Sequence, residues 1–148
     1  MIEVGLFVLQ SVCTASVHDA ARNARAMVEK CLIGIVDDDI DLPIALSSLL
    51  RSLGYRSECF SSAATLLSRG SLQDFCCIIS DVHMPAMTGL ELSRRLGDIE
   101  AGIPIILMTG RMETGLEEKA YASGAKAFLT KPFDFEKLSA TLEEALVR

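Results

Sequence analysis

Five short apolar runs alternate with amphipathic segments from Leu32 to the end of the chain. The runs have the length of strands, and they are Leu32–Val36, Tyr55–Phe60, Cys76–Ser80, Ile105–Met108 and Ala127–Thr130. The runs at 32, 76 and 105 are continuously apolar instead of alternating, which is typical of strands buried on both faces. The pattern therefore predicts a five-stranded parallel sheet with helices on both faces, a doubly wound α/β fold.

Helical spacing fills the segments between the runs. The first helix has an apolar face of Leu42, Leu46, Leu49, Leu50 and Leu53, and the last has one of Phe135, Leu138, Leu142 and Leu146. Shorter helices are predicted over Ala63–Ser68, Leu90–Leu96 and Glu113–Ala122. Pro43 fits the first turn of the first helix and Gly54 its end, while Asp39 and Asp134 are expected as N-caps of the first and last helices.

The first 29 residues do not share this pattern. An apolar stretch, Val4–Val12, is followed by an alanine-rich and helix-prone one, His18–Glu29. A secretory signal peptide is disfavoured, because Glu3 stands where a basic residue belongs and no clear cleavage site follows. We expect an N-terminal extension over residues 1–29, flexible or helical, and one globular domain over residues 30–148.

Composition excludes several classes of protein. The chain has 148 residues, of which 50% are hydrophobic, so it is long enough to bury one core and is not disordered. It carries 20 acidic and 14 basic residues, a net charge of -6 that argues against direct binding of nucleic acid. No apolar run reaches the roughly 18 residues of a membrane span.

The cysteines form no recognisable framework. They are Cys13, Cys31, Cys59, Cys76 and Cys77, an odd number without a CxxC pair. Neither a set of disulfides nor a zinc site is predicted from this spacing. We expect Cys76 and Cys77 to be buried thiols, in keeping with a reducing cytoplasm.

Polar residues follow four of the five predicted strands, at the edge where ligands bind in an open parallel sheet. The first strand is followed by Asp37, Asp38 and Asp39, the third by Asp81, the fourth by Thr109 and Gly110, and the fifth by Lys131 and Pro132. A single Asp in such a position is usually a helix cap, and a single Thr or Lys there is usually a loop residue. Their joint occurrence at strand ends indicates one functional crevice.

Three carboxylates in one crevice repel one another unless a cation is present. Mg2+ prefers oxygen ligands and suits an open site that keeps several waters, so it is the expected cofactor. Lys131 would balance more of the negative charge, and the Thr109 hydroxyl could donate to a phosphoryl oxygen. These groups together indicate phosphoryl transfer to an aspartate.

The same residues resemble the receiver domain of bacterial two-component response regulators, the CheY-like superfamily. The matching segments are Asp37-Asp38 after a strand ending in Val, Asp81 within Ser-Asp-Val-His-Met-Pro, Thr109-Gly110, and Lys131-Pro132-Phe133. Each segment is weak evidence alone, whereas the set is specific and covers roughly Cys31 to Val147. The resemblance implies a flavodoxin-like sheet with strand order 2-1-3-4-5.

The resemblance also implies a role for each acidic residue of the crevice. Asp81 is the phosphoacceptor. Asp37 and Asp38 are the acidic pair that holds Mg2+, with Asp38 the more direct ligand. Asp81 and the backbone carbonyl of His83 complete the protein's coordination of the metal.

The remaining residues of the pattern are implied to bind phosphate and to respond to it. Thr109 and Lys131 contact the phosphoryl oxygens, and the Lys131–Pro132 peptide bond is cis. Thr109 and Phe128 form a conformational switch. His83 and Arg111 either flank the path of the water that hydrolyses the acyl phosphate, and so modulate dephosphorylation, or are ordinary loop residues.

A receiver of this kind is a cytoplasmic signalling domain, whose own chemistry is limited to self-phosphorylation and slow autodephosphorylation. The resemblance implies that the phosphoryl group comes from a sensor histidine kinase or a histidine phosphotransfer protein. A homodimer through the fourth helix, fifth strand and fifth helix, roughly Arg111–Arg148, is a further expectation. The chain either acts alone or is the receiver portion of a longer regulator.

Two alternative functions are weaker. An aspartate-nucleophile phosphatase of the haloacid dehalogenase type needs Asp-x-Asp at its nucleophile, followed by Thr. Asp81-Val82-His83 lacks the second acid, and Asp37-Asp38-Asp39 lacks the threonine. A degenerate receiver that acts only as a protein-binding module is disfavoured, because every site residue is present.

Overall fold

The computed structural model describes residues 31–99 and 102–146, so the expected N-terminal extension lies outside the described residues. Within this part of the chain, five strands alternate with five helices. The strands are β1 Leu32–Val36, β2 Arg56–Phe60, β3 Phe75–Asp81, β4 Ile105–Thr109 and β5 Ala127–Thr130. The helices are α1 Asp41–Ser52, α2 Ala63–Arg69, α3 Gly89–Asp98, α4 Leu116–Ala122 and α5 Phe135–Leu146. A 3-10 turn, Leu72–Asp74, precedes β3.

The strands form one parallel sheet in the order β2-β1-β3-β4-β5, as predicted. The register aligns their carboxyl ends, with Val36 opposite Ser80, Asp81 opposite Met108, and Thr109 opposite Thr130. The residues that follow β1, β3, β4 and β5 therefore emerge at the same edge of the sheet.

Apolar side chains cover both faces of the sheet. One cluster, with Leu92 among its members, packs the strands against α2, α3 and α4, and the other, with Leu46 and Leu138, packs them against α1 and α5. The neighbouring residues Ile78 and Ile79 belong to different clusters, and both are completely buried. Burial of each such side chain contributes about 1.5–3 kcal/mol, which explains why the central strands are apolar at consecutive positions. None of the described helices has the length and apolar character needed to cross a membrane.

Three predicted helix boundaries are confirmed. Pro43 lies in the first turn of α1, and the Asp134 carboxylate accepts a hydrogen bond from a backbone N–H in the first turn of α5. Gly54 follows the C-cap of α1 with φ 93°, a conformation that glycine adopts without a Cβ clash. The N–H of Tyr55 donates to the carbonyl of Leu50 at 2.9 Å. Tyr55 thus closes the end of α1, and β2 begins one residue later than predicted.

Two predicted helix starts are wrong. The N-cap of α1 is Ile40, and the Asp39 carboxylate instead accepts a hydrogen bond from the N–H of Asp41 at 2.9 Å. Asp39 therefore stabilises the approach to the helix without being its cap. Helix α4 begins at Leu116, three residues later than predicted, because Gly115 has a left-handed backbone with φ 81°.

The prediction that Cys76 is a buried thiol is also wrong. Cys76 is half buried and forms a disulfide with Cys31, with their Cα atoms 5.6 Å apart. The bond joins residues far apart in sequence because β1 and β3 are neighbours in the sheet. Cys77 is a fully buried free thiol, as predicted, and burial raises its pKa to about 12.

Candidate functional site

Three carboxylates meet at the carboxyl edge of the sheet. Asp37 and Asp38 directly follow β1, and Asp81 is the last residue of β3. One carboxylate oxygen from each lies within 4.8 Å of the others. Asp37 is 1% exposed and Asp81 is 8% exposed, whereas Asp38 is an exposed residue. The structure thus brings together the acidic cluster that the strand ends predict.

Backbone contacts hold Asp37 in place. Its N–H donates to the carbonyl of Phe60 at 3.1 Å, so the end of β2 supports the site although it supplies no side chain. Its Oδ1 accepts a hydrogen bond from the N–H of Asp39 at 2.9 Å. Its Oδ2 lies 3.2 Å from Nζ of Lys131. Both oxygens of this carboxylate are therefore engaged.

Lys131 bridges the two buried carboxylates. Its Nζ lies 3.2 Å from Oδ2 of Asp37 and 3.3 Å from Oδ2 of Asp81. Its backbone N–H donates to the carbonyl of Thr109 at 2.7 Å, which ties the end of β4 to the residue after β5. The Lys131–Pro132 peptide bond is cis, as the family resemblance implies.

The environment of Asp81 disfavours its negative charge. Burial raises the pKa of Asp81, and the neighbouring Asp37 charge raises it too, while Lys131 and the N–H of His83, 3.3 Å from Oδ1, oppose the shift. The lysine alone therefore does not compensate the clustered negative charge. Asp38 contacts no cation among the described residues. A set of oxygen ligands with uncompensated charge fits a hard divalent ion such as Mg2+.

The Thr109 side chain is engaged with its own loop. Its hydroxyl donates to the carbonyl of Arg111 at 2.9 Å and accepts from the N–H of Arg111 at 3.0 Å. Thr109 is fully buried at the end of β4. Phe128, in β5, is half buried, lies opposite Leu107 and packs against the α2–α4 side of the core. The two predicted switch residues thus lie on adjacent strands.

The loops beside the cluster contain a residue that the sequence analysis missed. Nε2 of His83 lies 4.0 Å from a carboxylate oxygen of Glu113. At this distance the two groups make no hydrogen bond, but they place the loop after β3 beside the loop after β4. Arg111 is exposed in the second of these loops. The sequence does not single out Glu113 as a site residue, because it lies in a segment whose residue spacing predicts a helix.

Gly89 was also missed as a site residue. It begins α3, and its N–H donates to the carbonyl of Val82 at 2.9 Å. A Cβ at this position would overlap the carbonyl oxygen of Asp81. The first turn of α3 is thereby packed directly against the backbone of the strand end that carries Asp81, and only glycine permits that approach.

A model of the response regulator receiver domain matches residues 33–143. The chain belongs to this family. It is 42% identical over 118 residues to the response regulator protein TmoT of Ectopseudomonas mendocina, covering 80% of this receiver chain and 54% of TmoT. It is 36% identical over 120 residues to the transcriptional regulatory protein FixJ of Bradyrhizobium diazoefficiens, covering 81% of this chain and 58% of FixJ. This chain thus spans about half the length of these curated relatives.

A solved receiver-like structure agrees with this assignment. The chemotaxis protein CheY4 of Vibrio cholerae superposes with a TM-score of 0.70 and 32% identity, covering 78% of this chain and 98% of CheY4. The predicted family, the fold and the general function as a receiver domain of two-component response regulators are confirmed. Nothing in the comparisons supports the phosphatase alternative.

Proposed function

We propose that this receiver domain accepts a phosphoryl group on Asp81 and thereby switches between two conformations. The observation that carries the proposal is the contact of 3.3 Å between Oδ2 of Asp81 and Nζ of Lys131, inside an acidic cluster. Asp37 makes a similar contact, but its side chain is completely covered, whereas that of Asp81 is 11% exposed. Asp38 is exposed but lacks the lysine contact. Within the described cluster, only Asp81 both contacts Lys131 and has a partly exposed side chain.

The chemistry follows from these positions. An ionised oxygen of Asp81 attacks the phosphorus of a phosphohistidine, so that a P–O bond forms while the P–N bond breaks and the histidine nitrogen keeps the electron pair. Lys131 offsets negative charge beside the acyl phosphate. Asp37, Asp38, Asp81 and the backbone carbonyl of His83 would hold Mg2+, which when bound neutralises charge on the phosphoryl oxygens.

The acyl phosphate is removed by water, which returns Asp81 to a carboxylate and releases inorganic phosphate. His83 and Arg111 are proposed to set the rate of this reaction. Both belong to the loops that border the acidic cluster, and the His83 ring is positioned beside Glu113. No other reaction is assigned to the domain.

Thr109 and Phe128 are proposed to convert phosphorylation into a change of conformation. A phosphoryl oxygen on Asp81 would compete with Arg111 for the Thr109 hydroxyl, and a hydrogen bond to a charged acceptor is stronger by about 1 kcal/mol. Movement of Thr109 leaves space that the half-buried Phe128 ring can fill. Complete burial of an aromatic ring contributes about 1.5–3 kcal/mol, which is enough to shift a two-state equilibrium tenfold or more.

The proposed phosphodonor is a sensor histidine kinase or a histidine phosphotransfer protein in the cytoplasm. The surface of α4, β5 and α5 is proposed to mediate homodimerisation. Tyr121 and Phe135 are 44% exposed each on these elements, so apolar surface is available there. The net charge of -6 disfavours direct contact of this chain with nucleic acid.

Intact-mass spectrometry tests the proposal. The full chain is incubated with Mg2+ and a small acyl phosphate as donor. We expect wild type to gain one phosphoryl group and Asp81→Asn to gain none. The control is Asp39→Asn, which removes an exposed carboxylate next to the cluster and should be phosphorylated as wild type is. Undiminished uptake by Asp81→Asn would refute the acceptor, and no uptake by any of the three would refute the function.

A further inference from the structure

The disulfide between Cys31 and Cys76 lies at the amino-terminal edge of the sheet, opposite the acidic cluster. Cys31 directly precedes β1, and Cys76 is the second residue of β3. Their Cα atoms are 5.6 Å apart, within the range that a disulfide spans. The bond therefore connects the two neighbouring strands whose other ends place Asp37 and Asp81 in the site.

An irregularity in strand pairing accounts for the exposure of Cys76. Leu32 pairs with Phe75, whereas Ile33 pairs with Cys77, so β3 has one extra residue at this point, as in a β-bulge. Phe75 belongs to one core cluster and Cys77 to the other, although residues two apart in a regular strand face the same side. Cys76 occupies the extra position and is half buried.

We propose that Cys31 and Cys76 form a reversible thiol–disulfide modification site whose co-reactants are low-molecular-weight thiols and disulfides. Both residues are half buried, so a small thiolate can reach the bond. In reduction, that thiolate attacks one sulfur, the S–S bond breaks, and the other cysteine leaves as a thiolate that takes up a proton. A second small thiolate then attacks the small thiol's sulfur in this mixed disulfide and displaces the remaining cysteine, which takes up a proton, so that two cysteine thiols and one small disulfide result. Oxidation by a small disulfide is the reverse, with two electrons transferred in each direction.

The other cysteines in the described part of the chain are less suited to this exchange. Cys77 is completely buried, and burial raises its pKa to about 12. Burial also raises the pKa of Cys59 above its ordinary value. Because the thiolate is the attacking species, both thiols are less reactive at neutral pH than an ordinary cysteine, although Cys59 is exposed. Among the four cysteines of residues 31–146, exchange is therefore favoured at Cys31 and Cys76.

The disulfide is expected to stabilise the fold. It links residues separated by 45 positions, a segment that includes β1, α1, β2 and α2. A cross-link over a loop of this length restricts the unfolded chain, and its loss is expected to lower the melting temperature by about 10 °C. Reduction should also speed backbone hydrogen exchange at the amino ends of β1 and β3, and leave that of α4 unchanged.

Peptide mapping and thermal melts of the full chain test the site together. Wild type is equilibrated in glutathione buffers of increasing oxidised fraction and digested with trypsin without reduction. We expect peptide 31–51 to be linked to peptide 70–94, and the link to disappear with dithiothreitol. Cys31→Ser and Cys76→Ser should melt like reduced wild type, with or without reductant. Cys59→Ser, the control, should keep the full reductant-dependent shift.

Two results would overturn the proposal. One is the absence of the linked peptide at every glutathione ratio, and the other is an equal melting temperature of oxidised and reduced wild type. If the serine variants fail to fold, the melting temperatures of oxidised and reduced wild type still test whether the disulfide forms and stabilises the fold. The test uses no phosphodonor, so its outcome is independent of the assignment of Asp81.

Discussion

Replacement of Lys131 by methionine removes the positive charge that contacts both buried carboxylates. The Nζ–Oδ2 distances of 3.2 and 3.3 Å correspond to attractions of about 5 kcal/mol each at an effective dielectric constant of about 20. Two carboxylate oxygens of the cluster lie within 4.8 Å of each other, so the repulsion between their charges is at least about 3.5 kcal/mol on the same scale. These are not net energies, because all three groups lose water on burial. Breaking a buried ion pair costs about 3–5 kcal/mol. Because the lysine side chain is 20% exposed, we expect Lys131→Met to lower the free energy of unfolding by about 2–3 kcal/mol.

The loss of stability should depend on pH. Lys131 opposes the rise in the pKa of Asp81, so in Lys131→Met this pKa lies further above that of the unfolded chain. A carboxyl group with a raised pKa in the folded state stabilises the fold at pH values below its unfolded pKa. That contribution is lost as the pH rises through the folded pKa. We therefore expect Lys131→Met to be only slightly less stable than wild type near pH 3.8, the ordinary pKa of an aspartate, and to show the full loss of stability at neutral pH.

Urea unfolding of Lys131→Met at about pH 4.5 and about pH 7.5, in buffer with a chelator, measures both effects. The matched control is Lys126→Met, which removes an exposed lysine away from the acidic cluster and should change the free energy of unfolding by less than about 0.5 kcal/mol. An equal deficit of Lys131→Met at both pH values would refute the reasoning, because lost packing does not vary with carboxyl protonation.

Three further predictions concern other parts of the site. Millimolar Mg2+ should raise the melting temperature of wild type but not of Asp38→Ala, since a ligand at about 100 times its Kd adds about 2.7 kcal/mol to the free energy of unfolding. Thr109→Ala should accept a phosphoryl group but lack the amide NMR shifts that beryllofluoride induces in α4, β5 and α5 of wild type. Gly89→Ala should lower the free energy of unfolding and slow phosphorylation, because its Cβ would overlap the Asp81 carbonyl. The control is Gly97→Ala in the same helix, where a Cβ meets open space; it should raise the free energy of unfolding by up to about 1 kcal/mol.

Each of these expectations has a contradicting result. The metal site is wrong if Mg2+ leaves the melting temperature of wild type unchanged or shifts that of Asp38→Ala equally. Wild-type shift changes in Thr109→Ala would disprove the coupling of Thr109 to Phe128, and would leave the phosphoacceptor assignment intact. Equal stabilities of the two glycine variants would show that α3 can move away from Asp81 at no cost.

The fold and the position of the site are predictable from the sequence for a physical reason. Central strands of a parallel sheet are buried on both faces, so residues such as Ile78 and Ile79 produce continuous apolar runs that mark the strands. Parallel strands also end at one edge, which lets strand ends distant in sequence be placed together. This rule groups Asp37, Asp81 and Lys131, and the structure places Lys131 in contact with both carboxylates.

Features that depend on register or on loop closure were not predictable. The disulfide of Cys31 and Cys76 depends on the pairing of β1 with β3 and on the extra residue in β3. The spacing of the cysteines in the sequence indicates neither feature. The engagement of the Thr109 hydroxyl with its own loop depends on backbone torsions of that loop. The packing of Gly89 on Asp81 depends on how closely α3 approaches the sheet, which periodicity does not measure.

The most direct test of the central claim is to locate the phosphoryl group in the chain. Borohydride converts an aspartyl phosphate to homoserine and leaves ordinary aspartate unchanged. After phosphorylation with a small acyl phosphate and Mg2+, reduction and tryptic digestion, peptide 70–94 is predicted to carry homoserine at the position of Asp81. Homoserine in peptide 31–51, at Asp37 or Asp38, would contradict the account, as would phosphorylated protein that yields no homoserine at all.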